Sequence, residues 1–251
     1  MPANPAAQRE HDQLFSNQTS TLAETDPSFV AYFNNFAFDE TLRDVEMSRH
    51  DRLLVQLGAT IAVGAQAEFR ALLGAALVNG VTPVEVKEVV YQAVVYVGIA
   101  RTVDFLTITN DVLLECGVEL PLPEQSATDP STRMDHGRDV QGQIVGAVHV
   151  DGMYDAAPAD TVHFQRFLSG NCFGDTVARS GLDLRVRELL TFAMLVALGG
   201  AEAQVRGHIA GNRNVGNSRK DLLDVLTALV PFIGYPRTLN GLAVLNDAAP
   251  A

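Results

Sequence analysis

Lysine is almost missing from this chain. Only Lys87 and Lys220 stand among 18 basic residues, which face 30 acidic ones for a formal net charge of −12. That balance argues against nucleic acid as a partner, and an anionic ligand would need a local cluster of cations. Cysteine is scarce too: Cys116 and Cys172 match no metal-ligand or redox spacing. They read as reduced thiols of a cytoplasmic chain, Cys172 as a small apolar residue rather than a nucleophile. The N-terminus, MPANPAAQREHDQ, lacks the apolar stretch of a secretory signal, and apolar runs such as Val89–Ala100 fall well short of the ~20 residues that cross a bilayer. A soluble, cytoplasmic protein without membrane contacts is expected. No HExxH, CxxC, P-loop or GxGxxG context occurs, so neither a metal nor another cofactor is expected. What the chain does have is 251 residues, 47% of them apolar, enough for a substantial core.

It also has a repeat. Sliding the sequence along itself by 136 positions brings Leu53-Leu54 onto Leu189-Leu190, Gly64-Ala65 onto Gly200-Ala201, Gly98 onto Gly234 and Arg101-Thr102 onto Arg237-Thr238, without a gap. Upstream, Asn35, Asp39 and Arg43 fall on Asn171, Asp175 and Arg179. The stretch PLPEQSATDPSTRMD (121–135) has the composition of a linker. The expected organisation is an N-terminal arm over 1–26, a first unit over 27–118, a linker over 119–157 and a second unit over 158–251.

Each unit reads as helical. Val86, Val89, Val90, Ala93, Val94 and Val97 follow the i, i+3, i+4, i+7 spacing of one helix face. Thr82-Pro83-Val84-Glu85 carries the marks of a helix start, with a capping Thr, a first-turn Pro and a Glu that completes a capping box. Ser218-Arg219-Lys220-Asp221 is the same signal in the second copy, and Gly80 and Gly216 suit the left-handed residue that ends the helix before. An all-α fold follows. Both lysines fall near the starts of these helices, where they are expected to be solvated, so a Schiff-base lysine is not expected.

The copies differ on one face. Leu72, Ala76 and Leu77 of the first become His208, Asn212 and Arg213 in the second. Burying such groups without partners costs about 1–3 kcal/mol each, so the second copy is expected to use them. An imidazole, an amide and a guanidinium suit a ligand that bears a carboxylate; the competing reading is a subunit interface or a satisfied core. The Asn-x₃-Asp-x₃-Arg pattern spaces its members one helical turn apart and reads as scaffold, with Asn171 the member expected to face a site.

The second half, with DLRVRELL (183–190), LGGAEAQVRGH (198–208), GNRNVG (211–216) and IGYP (233–236), resembles the carboxymuconolactone decarboxylase family, as do ALVNGVTPVE (76–85) and YVG (96–98) of the first. The resemblance implies a tandem pair of alkylhydroperoxidase-like helical units that assembles as a homo-oligomer, a trimer or hexamer. It places the family's Glu and His at Glu188 and His208, where the first half has Arg52 and Leu72 and is therefore degenerate. The relatives that act as thiol peroxidases carry a CxxC before the His; Gly200 and Ala203 stand about there, which disfavours that activity. The resemblance implies a cofactor-free decarboxylase, or a related lyase or isomerase, acting on a small oxo- or lactone-carboxylic acid. His208 would donate the proton and Glu188 orient it or relay the proton; Arg213 and Asn212 would hold the substrate, with Asn171 a further candidate. A non-catalytic, oligomeric protein that binds small acids is the alternative from another class.

Overall fold

Ser48, Thr82, Asp183 and Ser218 each stand one residue ahead of a helix, and each side chain accepts a hydrogen bond from the backbone N–H three residues on. Such caps satisfy N–H groups that a helix start leaves without intrahelical partners. At Thr82 and Ser218 the carboxylates of Glu85 and Asp221 return the bond to the cap N–H, completing both expected boxes. The computed structural model describes residues 4–15 and 21–250. The helices in chain order are α1 (Pro5–Leu14), α2 (Leu22–Thr25), α3 (Pro27–Asn35), α4 (Arg49–Val63), α5 (Gln66–Val78), α6 (Pro83–Val97), α7 (Ile99–Glu115), α8 (Arg133–Gln141), α9 (Ala147–Asp155), α10 (Val162–Phe167), α11 (Leu184–Leu198), α12 (Glu202–Asn214), α13 (Arg219–Ile233) and α14 (Tyr235–Ala248). Wider helical turns occupy Phe36–Glu40, Gly142–Gly146 and Leu168–Val177. No strand occurs among the described residues, and the fold is all-α.

The repeat is structural as well as sequential. Helices α4, α5, α6 and α7 recur as α11, α12, α13 and α14 at the same offset, and Gly80 and Gly216 both take the left-handed conformation, with φ of 92° and 94°. The two halves share one core. Helices α4 and α11 pack against each other at its centre, and α6 of the first half reaches α11 of the second. At that crossing a Cβ on Gly58 would stand 2.3 Å from Leu190 Cδ1, and Met194, which occupies the equivalent position on α11, fills the space Gly58 leaves. The halves are therefore shaped to each other rather than merely tethered.

The segment 119–157, expected to be a linker, is helical over Arg133–Gln141 and Ala147–Asp155. Helix α8 packs on Leu168–Val177, where a Cβ on Gly137 would meet Ser169 O at 1.9 Å, and Val140, Ile144, Phe173 and Val177 form a small core of their own. The polar sequence RMDHGRDVQ hides this, because backbone approach through glycine leaves no apolar signature. The N-terminal arm holds the matching place in the first half. Helix α1 packs on Phe36–Glu40 as α8 packs on the second wide turn, and it sends Ala7 and Leu14 into the main core. In each half, then, a helix that precedes the matched sequence packs on the wide turn.

Candidate active site

Helix α11 carries Glu188 into the interior, where it is only 1% exposed, and α12 brings His208 over it. His208 Nδ1 lies 2.8 Å from Glu188 Oε2. A carboxylate oxygen accepts, so Nδ1–H donates and Nε2 is turned to the other side of the ring. Among the described residues the ring has no second hydrogen-bond partner, and 19% of the side chain is exposed. Burial pushes the imidazole pKa down, but the Glu188 charge and its hydrogen bond outweigh it, so His208 titrates above its ordinary value of 6.5.

Room for this pair comes from Gly211, where a Cβ would lie 2.7 Å from Glu188 Oε2 and 3.0 Å from Ile144 Cγ2. Asn212 fixes the pair from behind. Fully buried, it donates from Nδ2 to the backbone oxygens of Glu188 (3.0 Å) and His208 (2.7 Å), and its Oδ1 accepts from Asn217 Nδ2 (2.9 Å). Both amide protons are spent on backbone oxygens, one on α11 and one on α12 itself, so Asn212 positions the pair and offers no donor to a ligand, contrary to the sequence expectation.

Two further expectations also shift. Arg213 is exposed and makes no ion pair or hydrogen bond among the described residues. Five residues beyond His208, it stands about 140° round the helix from the imidazole and does not share its face. Asn171 is exposed and donates to Asp175 Oδ2 at 3.3 Å. The neighbouring Cys172 turns inward instead, hydrogen-bonded to Tyr96 and close enough to Glu188 to feel its charge. Burial and that charge push the Cys172 thiol up to about 12, so it stays protonated and unreactive as a nucleophile. The Asp–Arg pairing expected one turn apart holds between Asp39 and Arg43; in the second half Arg179 turns to Glu88, and Asp175 pairs with Arg133.

The residue that sequence reasoning missed is Tyr96, at the end of α6 in the other half. Its ring meets His208 edge-on, with centroids 6.0 Å apart at 80°, and its hydroxyl lies 2.9 Å from Thr191 Oγ1 on α11. Burial, with the nearby Cys172 and Glu188, pushes the phenol well above its usual range, which keeps it neutral. Gln92, one turn earlier, bonds Thr191 Oγ1 (3.0 Å) and the Arg187 carbonyl (2.8 Å). The fully buried Arg187 spans the same seam to Glu88 Oε2 at 2.9 Å, with Gln92 Oε1 and the carbonyls of Arg179 and Leu182 accepting its remaining protons. The site is thus built from both halves, a pairing that helical periodicity cannot reveal because it names a face and not its partner. An aromatic cavity of about 520 Å³ walled by Phe15, Phe29, Phe33 and Phe232 lies apart from it, on the first-half side. Among the described residues no three His, Cys, Asp or Glu side chains gather closely enough to hold a metal ion, and no described helix is long and apolar enough to cross a membrane.

A carboxylate-backed imidazole, recessed at the seam of a duplicated helical unit, defines a site equipped for proton transfer. The model of the carboxymuconolactone decarboxylase family matches residues 27–111 and 163–247, most of the chain, and the chain belongs to that family. It is similar to the 4-carboxymuconolactone decarboxylase of Acinetobacter baylyi, at 29% identity over 104 residues, 41% of this chain and 77% of that one. A crystal structure described as a candidate gamma-carboxymuconolactone decarboxylase subunit, from Burkholderia xenovorans LB400, shares the fold with a TM-score of 0.51 and 19% identity, covering 94% of each chain.

Proposed function

We propose that the protein is a decarboxylase, or a lyase or isomerase of the same chemistry, that acts on a small oxo- or lactone-carboxylic acid without a cofactor. The observation that carries this reading is the 2.8 Å bond between His208 Nδ1 and Glu188 Oε2. In decarboxylation the C–COO⁻ bond breaks, CO₂ leaves, and the electron pair passes into the substrate's conjugated carbonyl as an enolate. His208, held by Glu188 and titrating above its ordinary value, delivers the proton to carbon from Nε2 and is reprotonated from solvent. Tyr96 walls the ring. Arg213 and Asn171 are left out of the substrate contacts, and Asn212 acts through the geometry of Glu188 and His208. General acid–base work of this kind contributes ~10²–10⁴ in rate.

The test is CO₂ release from a panel of oxo- and lactone-acids by the wild type and by His208→Ala. Turnover of one acid by the wild type alone supports the reading; equal turnover by both removes His208 from the mechanism. Saturable binding of these acids with no product would instead favour the non-catalytic binding protein.

The reading includes self-assembly. Val148, Phe164 and Phe167 are 87%, 59% and 60% exposed, apolar side chains that a partner subunit would cover. Light scattering on the eluted protein is expected to give a multiple of the 27.0 kDa chain mass.

A further inference from the structure

Lys87 departs from expectation in a second part of the molecule. It lies on α6 and is only 8% exposed, so its ammonium is held inside rather than solvated. Among the described residues its one hydrogen bond goes to Asn110 Oδ1 on α7, and its Nζ stands 5.9 Å from the centroid of the Tyr91 ring. The Arg179 guanidinium, from the second half, stands 5.1 Å from the centre of the same ring. These groups and the chain from Leu120 to Gln125 wall a cavity of about 370 Å³, of the size that holds small ligands.

Two cations and two carboxylates line this cavity, but both carboxylates serve arginines and neither serves Lys87. Glu88, 1% exposed, is shared by Arg179 at 3.0 Å and Arg187 at 2.9 Å. Glu124 meets Arg179 at 3.3 Å but is 75% exposed, so water screens most of its charge. Among the described residues no carboxylate pairs with Lys87. A recessed ammonium with a neutral partner is expensive to keep, and burial lowers its pKa accordingly. The counterparts of Lys87 and Tyr91 in the second half are Leu223 and Thr227, so the fold does not require a cation here.

We propose that this cavity binds a small oxyanion, a carboxylate or a phosphate, between Lys87 and Arg179. The ligand would give Lys87 the counter-charge it lacks and accept charge-assisted hydrogen bonds from both cations. The site shares no side chain with the Glu188–His208 pair, so occupancy of one can be measured with the other disabled.

With only two lysines, the chain permits a direct test on the unaltered protein. Acetylation by an N-hydroxysuccinimide ester is followed residue by residue by mass spectrometry, in sodium succinate, in sodium phosphate, and in sodium chloride of equal ionic strength. Succinate or phosphate is expected to slow acetylation of Lys87 by about tenfold or more, saturably, and to leave Lys220, whose side chain is 45% exposed, unaffected. The arm that protects says which oxyanion the cavity prefers. Calorimetric titration with that anion is expected to be unchanged in His208→Ala and about tenfold weaker or worse in Lys87→Met, which keeps the aliphatic stem. Equal labelling of Lys87 in all three salts overturns the proposal. So does binding that is lost in His208→Ala and kept in Lys87→Met, which would put the anion at the imidazole.

Discussion

At three equivalent places the halves make opposite choices on one scaffold. The second half has Glu188, His208 and Gly211; the first has Arg52, Leu72 and Ala75. In the first, Glu10 of α1 bonds Arg52 and Arg49, each at 2.6 Å, and Leu72 is completely buried, so the place of the acid–base pair is taken by an ion-paired staple. In the second, Ile144 lies beside Gly211 and the Glu188 carboxylate bonds the imidazole. The difference teaches that the scaffold needs only to have this position satisfied. An ion pair closes it and a recessed histidine opens it for chemistry.

Exchanging one side chain at a time should break this contrast, and the largest effect falls on activity. His208→Ala is expected to cut turnover by ~10²–10⁴ while the melting temperature barely moves. Leu72→Ala, its counterpart, should leave turnover unchanged and cost about 2–5 kcal/mol in urea unfolding, since it opens a void in a packed core. Glu10→Ala should cost about 3–5 kcal/mol, because it strands a guanidinium only 8% exposed; a loss below 1 kcal/mol would show that α1 is not a staple. Gly211→Ala is a smaller perturbation. Its methyl must displace the Glu188 carboxylate, at about 1–3 kcal/mol, with a loss of turnover, whereas Ala75→Gly should cost about 1 kcal/mol of helix propensity and no activity.

The halves should also respond oppositely to pH. Burial raises the Glu10 pKa, but its bonds to Arg49 and Arg52 outweigh that and leave it below 4.5. Its contribution is present above that value and disappears as pH falls through the lower folded one. The His208 pKa is raised above 6.5, so its contribution is complete below 6.5 and is lost as pH rises through the folded value. Amide exchange should therefore loosen α1 first in acid, and α12 first as the solution turns alkaline. Loosening of both helices at the same end of the pH range would contradict the assignment.

Much of this was legible in the sequence, for stated reasons. The offset that joins Leu53 to Leu189 recovers every paired helix, and the caps at Thr82 and Ser218 are local signals that tertiary packing did not override. The replacement of Leu72 by His208 pointed to the second half. What lay hidden depends on contacts across the seam. Tyr96 and Gln92 face α11 of the other repeat, Asn212 spends its amide on backbone oxygens, and Arg213 falls outside the inward arc. Helix α8 is nearly without apolar residues, and Lys87 is buried by a neighbouring helix and by the strap that follows it. None of these leaves a periodic trace.

The coupling of Glu188 to His208 can be read directly from the imidazole's carbon-bound proton resonances during an NMR titration of the wild type and of Glu188→Gln. The wild-type midpoint should lie above 6.5 and the variant's below it, because burial then acts alone. Identical midpoints would mean that the carboxylate does not govern the imidazole, and the second half would be a scaffold like the first.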